Sequence, residues 1–341
     1  MSVFDDTRLD DPDALTTVDP TLRLLAEAGR RVRIEHDSAG AALAGLRSSD
    51  RPRAVVAAGP EARLIRALLE PVCPVPFVAW SASGLPGWVG PLDLVVLLAA
   101  EQAPAELVAT AREAVRRGAW VVVACGDTSP LVDHAASSAT TFLTMRTGDN
   151  LAAVTVMMSA LHRLGLGPDV DPARVADTLD EVATQCSPHA DVAANPAKDF
   201  ALCTADAQVL LWGGSTLAAR ASRRIAEVLR AVTGRPALAA DGPALLPVLE
   251  SVTGRDLFAD PFLDDDPQPR PVLVVTADRL DESWVRTARG ELVATAERHG
   301  VRVVEVVAEA GDDLQRYAAL LQQGRYGATY LALGLGRQPV V

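Results

Sequence analysis

One glycine turn holds the residues best placed to bind a ligand. It lies within QVLLWGGSTLAARASRRIAEVL (208–229), between an apolar strand-like run and a helix-forming stretch. Gly213 and Gly214 leave backbone amides open, and Ser215 and Thr216 add hydroxyls at the positive end of a helix. Such a group could bind an anion such as phosphate. The same residues also suit a structural role, because strand-to-helix turns need glycine and Ser or Thr is a preferred N-cap.

A second turn, CGDTSPL, begins at Cys125 and follows another apolar run. Asp127, Thr128 and Ser129 would lie at the carboxyl end of a strand, where they could contact a polar ligand. They could equally cap the helix that follows, and the capping role is favoured.

Histidine and cysteine, the other common reactive residues, are scattered along the chain. The histidines are His36, His134, His162, His189 and His299, and the cysteines are Cys73, Cys125, Cys186 and Cys203. No pair has metal-ligand spacing, so the sequence predicts no metal site. It also lacks a G-x-G-x-x-G fingerprint, so we expect no dinucleotide and no other cofactor.

Composition restricts the partners and the location of the protein. The chain has 341 residues, 49% of them hydrophobic, and a formal net charge of −12. This charge argues against nucleic acid and against a membrane surface, which both favour basic proteins. The acidic N-terminus lacks the apolar core of a signal peptide, and the apolar runs are too short to span a bilayer. With the scattered thiols, these features predict a cytoplasmic protein.

The order of predicted elements indicates an α/β protein with parallel sheets, and the same pattern of strands and helices occurs twice along the chain. Valine-rich runs predict strands that are covered on both faces. In the first half, a strand, turn and helix at 53–70 precede strands at 76–80, 93–98 and 119–126. In the second half, a similar unit at 208–229 precedes strands at 236–240, 271–277 and 301–309. Helices are predicted at 150–167 and 313–334.

The repeat predicts two domains joined by a connecting segment. We place the N-terminal domain at 1–169, a linker helix and loop at 170–201, and the C-terminal domain at 202–341. Within the second domain, the Asp- and Pro-rich stretch 256–271 is predicted to be an exposed loop.

This order of elements resembles the double-SIS arrangement of sugar isomerase domains, and the bifunctional phosphoglucose/phosphomannose isomerases in particular. The resemblance runs from about residue 20 to the end and includes ATYLALGLGRQP (328–339). It implies two flavodoxin-like, three-layer α/β/α domains and a homodimer. It also implies a sugar phosphate as ligand and aldose–ketose isomerisation helped by a glutamate, a histidine and a lysine.

The phosphate motifs of that family are altered here. Its first turn is a GMGGS-type loop, and the matching residues are AAGPE, Ala57 to Glu61. Pro60 has no N–H to donate, and Glu61 brings a negative charge. The second motif, S-x-S-G-N-T, corresponds to LAAEQA at 98–103, which has no hydroxyl, and an arginine of the family falls near Asn150.

The acid–base residues of the family are also displaced or missing. Its glutamate falls at Arg230, and Glu227 lies one turn earlier. No histidine occurs between His189 and His299, and Lys198, the only lysine, is in the linker. Each positioned proton-transfer group typically contributes a factor of ~10²–10⁴, so losing several should leave little turnover.

Three functional hypotheses remain open. The first is a catalytically degenerate relative of the isomerases that binds a carbohydrate derivative or acts as a regulatory or interaction protein. The second is an active phosphosugar isomerase in which Glu227 is the base and Ser215 and Thr216 hold the phosphate. The third is a structural partner with no ligand site.

Overall fold

The computed structural model describes residues 3–46, 51–252, 270–278, 282–308 and 310–338. These residues divide into two compact units, each built around one parallel sheet. The first unit comprises Glu27–Thr178 and Asp312–Gln315. The second unit comprises Met1–Ala26, Leu179–Gly311 and Arg316–Val341.

The sheet of the first unit has the strand order β2-β1-β3-β4-β5, with every neighbouring pair parallel. Its strands are β1 Val55–Ala58, β2 Phe77–Trp80, β3 Leu94–Ala99, β4 Trp120–Gly126 and β5 Thr140–Met145. Strand β3 is buried along its whole length. Its apolar run is therefore unbroken, as expected for a central strand that is covered on both faces.

The sheet of the second unit has the order β7-β6-β8-β9 and is also parallel. Its strands are β6 Ala207–Gly213, β7 Ala237–Ala239, β8 Arg270–Ala277 and β9 Arg302–Val307. Successive side chains of a strand point to opposite faces of the sheet. Leu210 and Trp212 of β6 accordingly share one core cluster with Leu245 and Leu292.

Helices and 3₁₀ turns connect and cover these strands. The helices are α1 Pro12–Thr16, α2 Asp19–Ala26, α3 Ala28–Gly45, α4 Ala62–Leu69, α5 Ala105–Arg116, α6 Pro130–His134, α7 Asn150–Arg163, α8 Pro172–Gln185, α9 Pro196–Thr204, α10 Thr216–Thr233, α11 Gly242–Glu250, α12 Ser283–Arg298 and α13 Asp313–Gly334. The 3₁₀ turns are Asp6–Leu9 and Val192–Ala194. Helix α7 is buried on every side from Leu151 to Leu161, which explains its apolar composition all round.

The N-terminal segment, residues 3–26, belongs to the second unit. The Asp5 amide donates to the carbonyl of Gly334 at 2.9 Å, and Arg8 Nε donates to the carbonyl of Leu333 at 2.8 Å. Gln322 Nε2 donates to the carbonyl of Leu25 at 2.6 Å. The start of the chain is thus hydrogen-bonded to α13, the last described helix.

The predicted α/β class, its parallel sheets and both repeated halves are confirmed. The domain boundaries at 169 and 202 stay a prediction, and the compact units differ from them by placing residues 1–26 with the second sheet. Strand β5 and helix α3 were not predicted. Most of the loop expected at 256–271 lies outside the described residues.

Neither a membrane-spanning helix nor a cluster of metal ligands occurs among the described residues. No helix among them combines the length and the apolar character needed to cross a membrane. Within the same ranges, no three His, Cys, Asp or Glu side chains are grouped as metal ligands.

Candidate functional site

The WGGST turn joins β6 to α10, as the sequence predicted. Gly213 ends the strand, and Ser215 is the N-cap of the helix. The Ser215 hydroxyl accepts a hydrogen bond from the Ala218 amide at 2.9 Å. It also donates a hydrogen bond to the carboxylate of Asp278. Both the donor and one acceptor position of this hydroxyl are therefore used inside the protein.

Close packing explains both glycines of the turn. A β-carbon on Gly213 would overlap the backbone of Ala218 and Ala219 in the first turns of α10. A β-carbon on Gly214 would overlap Val285 and lie 2.9 Å from the Trp212 ring. The absence of side chains at these positions is thus required by the contacts of the turn with its own unit.

Asp278 is the residue of this turn that sequence reasoning missed. It directly follows β8, whose Thr276 pairs with Gly213 of β6. Its exposure is only 5%, although it carries a carboxylate. A pattern search could not have found it, because it lies 63 residues from Ser215 along the chain.

A pair of buried hydroxyls lies behind the turn. Thr276 Oγ1 is 2.7 Å from Ser222 Oγ, 3.2 Å from the Trp212 carbonyl and 3.0 Å from the Ala218 carbonyl. These contacts tie β6, β8 and α10 together with polar groups that are satisfied internally, as buried polar groups must be.

The other residues proposed for the second unit are not gathered at the turn. Thr216 is exposed at the first position of α10. Glu227 is on the same helix, about 16 Å further along its axis at 1.5 Å per residue. Its side chain is 46% exposed and forms an ion pair with Arg224, with Nη1 and Oε2 2.8 Å apart. One six-carbon sugar phosphate could not reach both Glu227 and the hydroxyls of the turn.

The CGDTSPL turn follows β4 in the first unit. Ser129 caps α6 by accepting a hydrogen bond from the Leu131 amide at 3.3 Å, so the capping interpretation is confirmed for this residue. Asp127 and Thr128 are exposed. Burial raises the pKa of the neighbouring Cys125 thiol to about 11, so this cysteine is protonated at neutral pH.

The AAGPE turn joins β1 to α4 in the first unit. Gly59 has a φ of 117°, and a β-carbon there would overlap the carbonyl of Leu98. Glu61 directly precedes α4 and is only 5% exposed. A carboxylate is therefore buried at the helix start where the isomerase family places its phosphate-binding loop.

The second phosphate element, residues 98–103, is equally altered. It has no hydroxyl, and the amide of Ala100 donates to Asn150 Oδ1 at 3.4 Å. Asn150 opens α7, where the family keeps an arginine. The side chain at this position thus contacts the neighbouring loop of its own unit.

A buried carboxylate on α3 holds the loop that precedes α7. Glu35 is fully buried and accepts hydrogen bonds from the amides of Arg146 and Thr147 and from the Thr147 hydroxyl, at 2.5–2.9 Å. One turn earlier, Arg31 Nε lies 2.8 Å from Asp149 Oδ2. Neither residue was singled out from the sequence, because their partners lie more than a hundred residues away.

Lys198, the only lysine of the chain, is fully buried in the second unit. Its ammonium donates to Asp10 Oδ1 at 2.6 Å and to the carbonyls of Pro188 and Ala190 at 3.0 Å each. An ammonium has three protons to donate, and all three are used. Lys198 is therefore a structural residue, unavailable for proton transfer.

A cavity of ≈ 750 Å³ lies next to these contacts. Its lining includes Asp10, Leu15, Asp19, Arg23, His189 and Asp191. The volume is within the range of small-molecule sites. The lining combines apolar surface with carboxylates and a histidine, groups that can bind hydroxyls.

Comparisons with known proteins agree with this architecture. Residues 193–341 match the family of the bacterial phospho-glucose isomerase C-terminal SIS domain. This part of the chain is similar to a SIS domain. The predicted resemblance to sugar isomerase domains is confirmed at the level of the family. No curated protein sequence matches the chain.

Solved structures with SIS-type folds match nearly the whole chain. The C-terminal domain of glucosamine-fructose-6-phosphate aminotransferase from Francisella tularensis has a TM-score of 0.63 at 11% identity, covering 92% of this chain and 96% of that one. Tagatose-6-phosphate ketose/aldose isomerase from Escherichia coli has a TM-score of 0.63 at 13% identity, covering 96% and 94%. A glucose-6-phosphate isomerase like protein from Thermus thermophilus has a TM-score of 0.58 at 18% identity, covering 97% and 94%. At these identities the structures show a shared fold.

Proposed function

We propose that this protein is a SIS-fold relative of the phosphosugar isomerases that has lost isomerase activity and acts as a non-catalytic, regulatory protein of carbohydrate metabolism. It binds a carbohydrate derivative and does not bind a phosphate group. The observation that carries the proposal is the buried carboxylate of Glu61 at the start of α4.

A phosphate binds at a helix start through backbone amides and the positive end of the helix. In the first unit, Pro60 removes one amide donor from the turn, and Glu61 adds a buried negative charge. Two like charges at close range in a poorly hydrated site repel strongly. The AAGPE turn therefore disfavours the dianion that the isomerases hold there.

Catalysis lacks support for a separate reason. The candidate base Glu227 is exposed and ion-paired with Arg224, and the only lysine is used in structural contacts. A general base works best when its environment is tuned to the proton that it moves. Glu227 instead lies on an exposed helix face, and its carboxylate is already engaged by Arg224.

We place the carbohydrate derivative in the cavity of the second unit. Asp19, His189 and Asp191 offer hydrogen-bond partners to sugar hydroxyls there, and Leu15 offers an apolar surface to a sugar ring. Of the three aspartates around the cavity, Asp10 is paired with Lys198 and Asp19 with Arg23. Asp191 adds a further negative charge, which favours a neutral or cationic sugar over a phosphorylated one.

The test compares matched sugars with and without phosphate. We expect purified protein to show no aldose–ketose turnover with fructose 6-phosphate in a coupled assay, in which an active phosphoglucose isomerase is the positive control. We also expect glucose, mannose and fructose to raise the unfolding temperature at least as much as their 6-phosphates do. A ligand at 100 times its dissociation constant adds about 2.7 kcal/mol of stability, which is easily measured.

The opposite results would overturn the proposal. Turnover, or a stabilisation seen only with the phosphorylated sugars, would favour an active isomerase. In that case Glu227→Gln decides the role of this residue, because a catalytic base would lose turnover and a surface carboxylate would not. Arg224→Gln is the matched control, since it breaks the same ion pair without touching the carboxylate.

We further propose that the protein is a cytoplasmic homodimer. The dimer is implied by the resemblance to the isomerases. The cytoplasmic location is supported by four cysteines without a disulfide. Light scattering on a size-exclusion column measures the mass directly, and a monomer at micromolar concentration would contradict the dimer.

A further inference from the structure

Helix α10 begins without an acidic residue of its own. It is 18 residues long, and its own first turn contains no acidic residue. Helix starts of this kind attract an anion or a carboxylate. In this structure the negative charge comes from another part of the chain.

The register of the sheet brings Asp278 to this helix start. Gly213 of β6 lies beside Thr276 of β8, so the residues two positions further on, Ser215 and Asp278, leave the sheet side by side. The Ser215 hydroxyl donates to the Asp278 carboxylate and accepts from the Ala218 amide. One serine thus links the carboxylate to the first turn of α10.

The burial of Asp278 disfavours a second anion at the start of α10. Asp278 is 95% covered as a residue, and a buried charge is stable only with hydrogen-bond donors and a favourable field around it. The Ser215 hydroxyl is one such donor, and the start of α10 adds a favourable field. A phosphate at the same place would have to displace the carboxylate or lie against its negative charge.

We propose that Asp278 is a built-in anion that permanently occupies the start of α10 and keeps phosphorylated ligands out of the WGGST turn. The inference goes beyond the proposed function, which rests on the first unit and on the cavity. It assigns Asp278 as the residue that sets the specificity of this turn in the second unit.

The experiment titrates inorganic phosphate at constant ionic strength against chloride and follows the thermal unfolding of the full chain. Asp278→Ser removes the carboxylate and leaves space, while Asp278→Asn removes the charge and keeps the shape. Asp241→Asn is the matched control, because Asp241 is an exposed residue at the start of α11 whose side chain caps nothing. Circular dichroism checks that each variant is folded.

We expect wild type and Asp241→Asn to respond equally to phosphate, with no saturable rise in the unfolding temperature. Asp278→Ser should gain a saturable, phosphate-specific rise, and adding Ser215→Ala should remove it. If Asp278→Ser does not fold, Asp278→Asn should also gain a saturable, phosphate-specific rise in the unfolding temperature, but a smaller one.

Two results would overturn the inference. One is a folded neutral variant that gains no response to phosphate. The other is a saturable response in wild type that Ser215→Ala abolishes, and this arm needs no Asp278 variant to fold. Isomerase turnover in wild type without such a response would contradict the proposed function alone, so the two failures can be told apart.

Discussion

At the residue scale, charged groups inside this protein are neutralised by partners from distant parts of the chain. Lys198 illustrates this best, because its ammonium is fully buried and its charged partner, Asp10, lies 188 residues away. The ammonium also lies 5.8 Å from the centre of the Tyr330 ring, a favourable cation–π distance. The isomerases use a lysine in catalysis, whereas Lys198 links α9 to the N-terminal segment through Asp10.

We expect Asp10→Ala to lower the free energy of unfolding by about 1–3 kcal/mol, less than the loss of a fully buried partner, because the Asp10 side chain is 61% exposed and water can partly replace it. Asp13→Ala is the control, since Asp13 is exposed on α1 and should change the stability by less than about 1 kcal/mol. Chemical denaturation of both variants gives the values. Equal, small effects would mean that the ammonium does not depend on Asp10.

At the element scale, the strand–turn–helix units that begin with β1 and β6 differ in the residues that form their turns. After β1 the turn uses a glycine with positive φ and a buried glutamate, Glu61. After β6 it uses two closely packed glycines, a serine cap and the carboxylate of Asp278. In both units a carboxylate of the chain itself lies near the start of the helix. By our proposals, both carboxylates disfavour an external anion at these two helix starts.

Gly213→Ala tests whether packing alone requires the glycine. We expect a loss of about 1–3 kcal/mol, because the added methyl group would overlap the backbone of α10. Gly40→Ala is the matched control. Nothing lies within 4 Å of a β-carbon at Gly40, which is inside α3, so that variant should gain up to about 1 kcal/mol. A neutral effect of Gly213→Ala would reopen a ligand-binding reason for this glycine.

At the scale of the whole molecule, the N-terminal segment completes the second unit. Leu9, Val18 and Leu22 are buried, and the segment also supplies Asp10 and the contacts to α13. Fully burying one such side chain contributes about 1.5–3 kcal/mol. The second unit therefore depends on residues from both ends of the chain.

A chain without residues 1–26 should unfold at a markedly lower temperature. Its second unit should also exchange amide hydrogens faster than its first unit. Removing only residues 1–3 is the control, because Val3 is 86% exposed. Unchanged protection of residues 193–338 in the shorter chain would show that the segment is dispensable.

The sequence by itself determined the elements whose signal is local. The unbroken apolar runs of β3 and β4 predicted central parallel strands, since such strands are covered on both faces. Helix α13 was predicted over its observed range, 313–334. The family resemblance followed from the order of these elements. Strand β5 was missed, because its sequence TTFLTM is only partly buried and has no continuous apolar run.

Only the tertiary structure decided what the candidate turns do. The WGGST sequence is compatible with a phosphate site or with a capped, closely packed turn. The difference is made by Val285 and Asp278, which are distant in sequence. Glu61 and Lys198 could be located by pattern, but whether each is buried or exposed depends on the elements packed against it. Local propensity carries no information about such long-range contacts, so the sequence located the turns and only the fold placed Asp278 and Val285 against one of them.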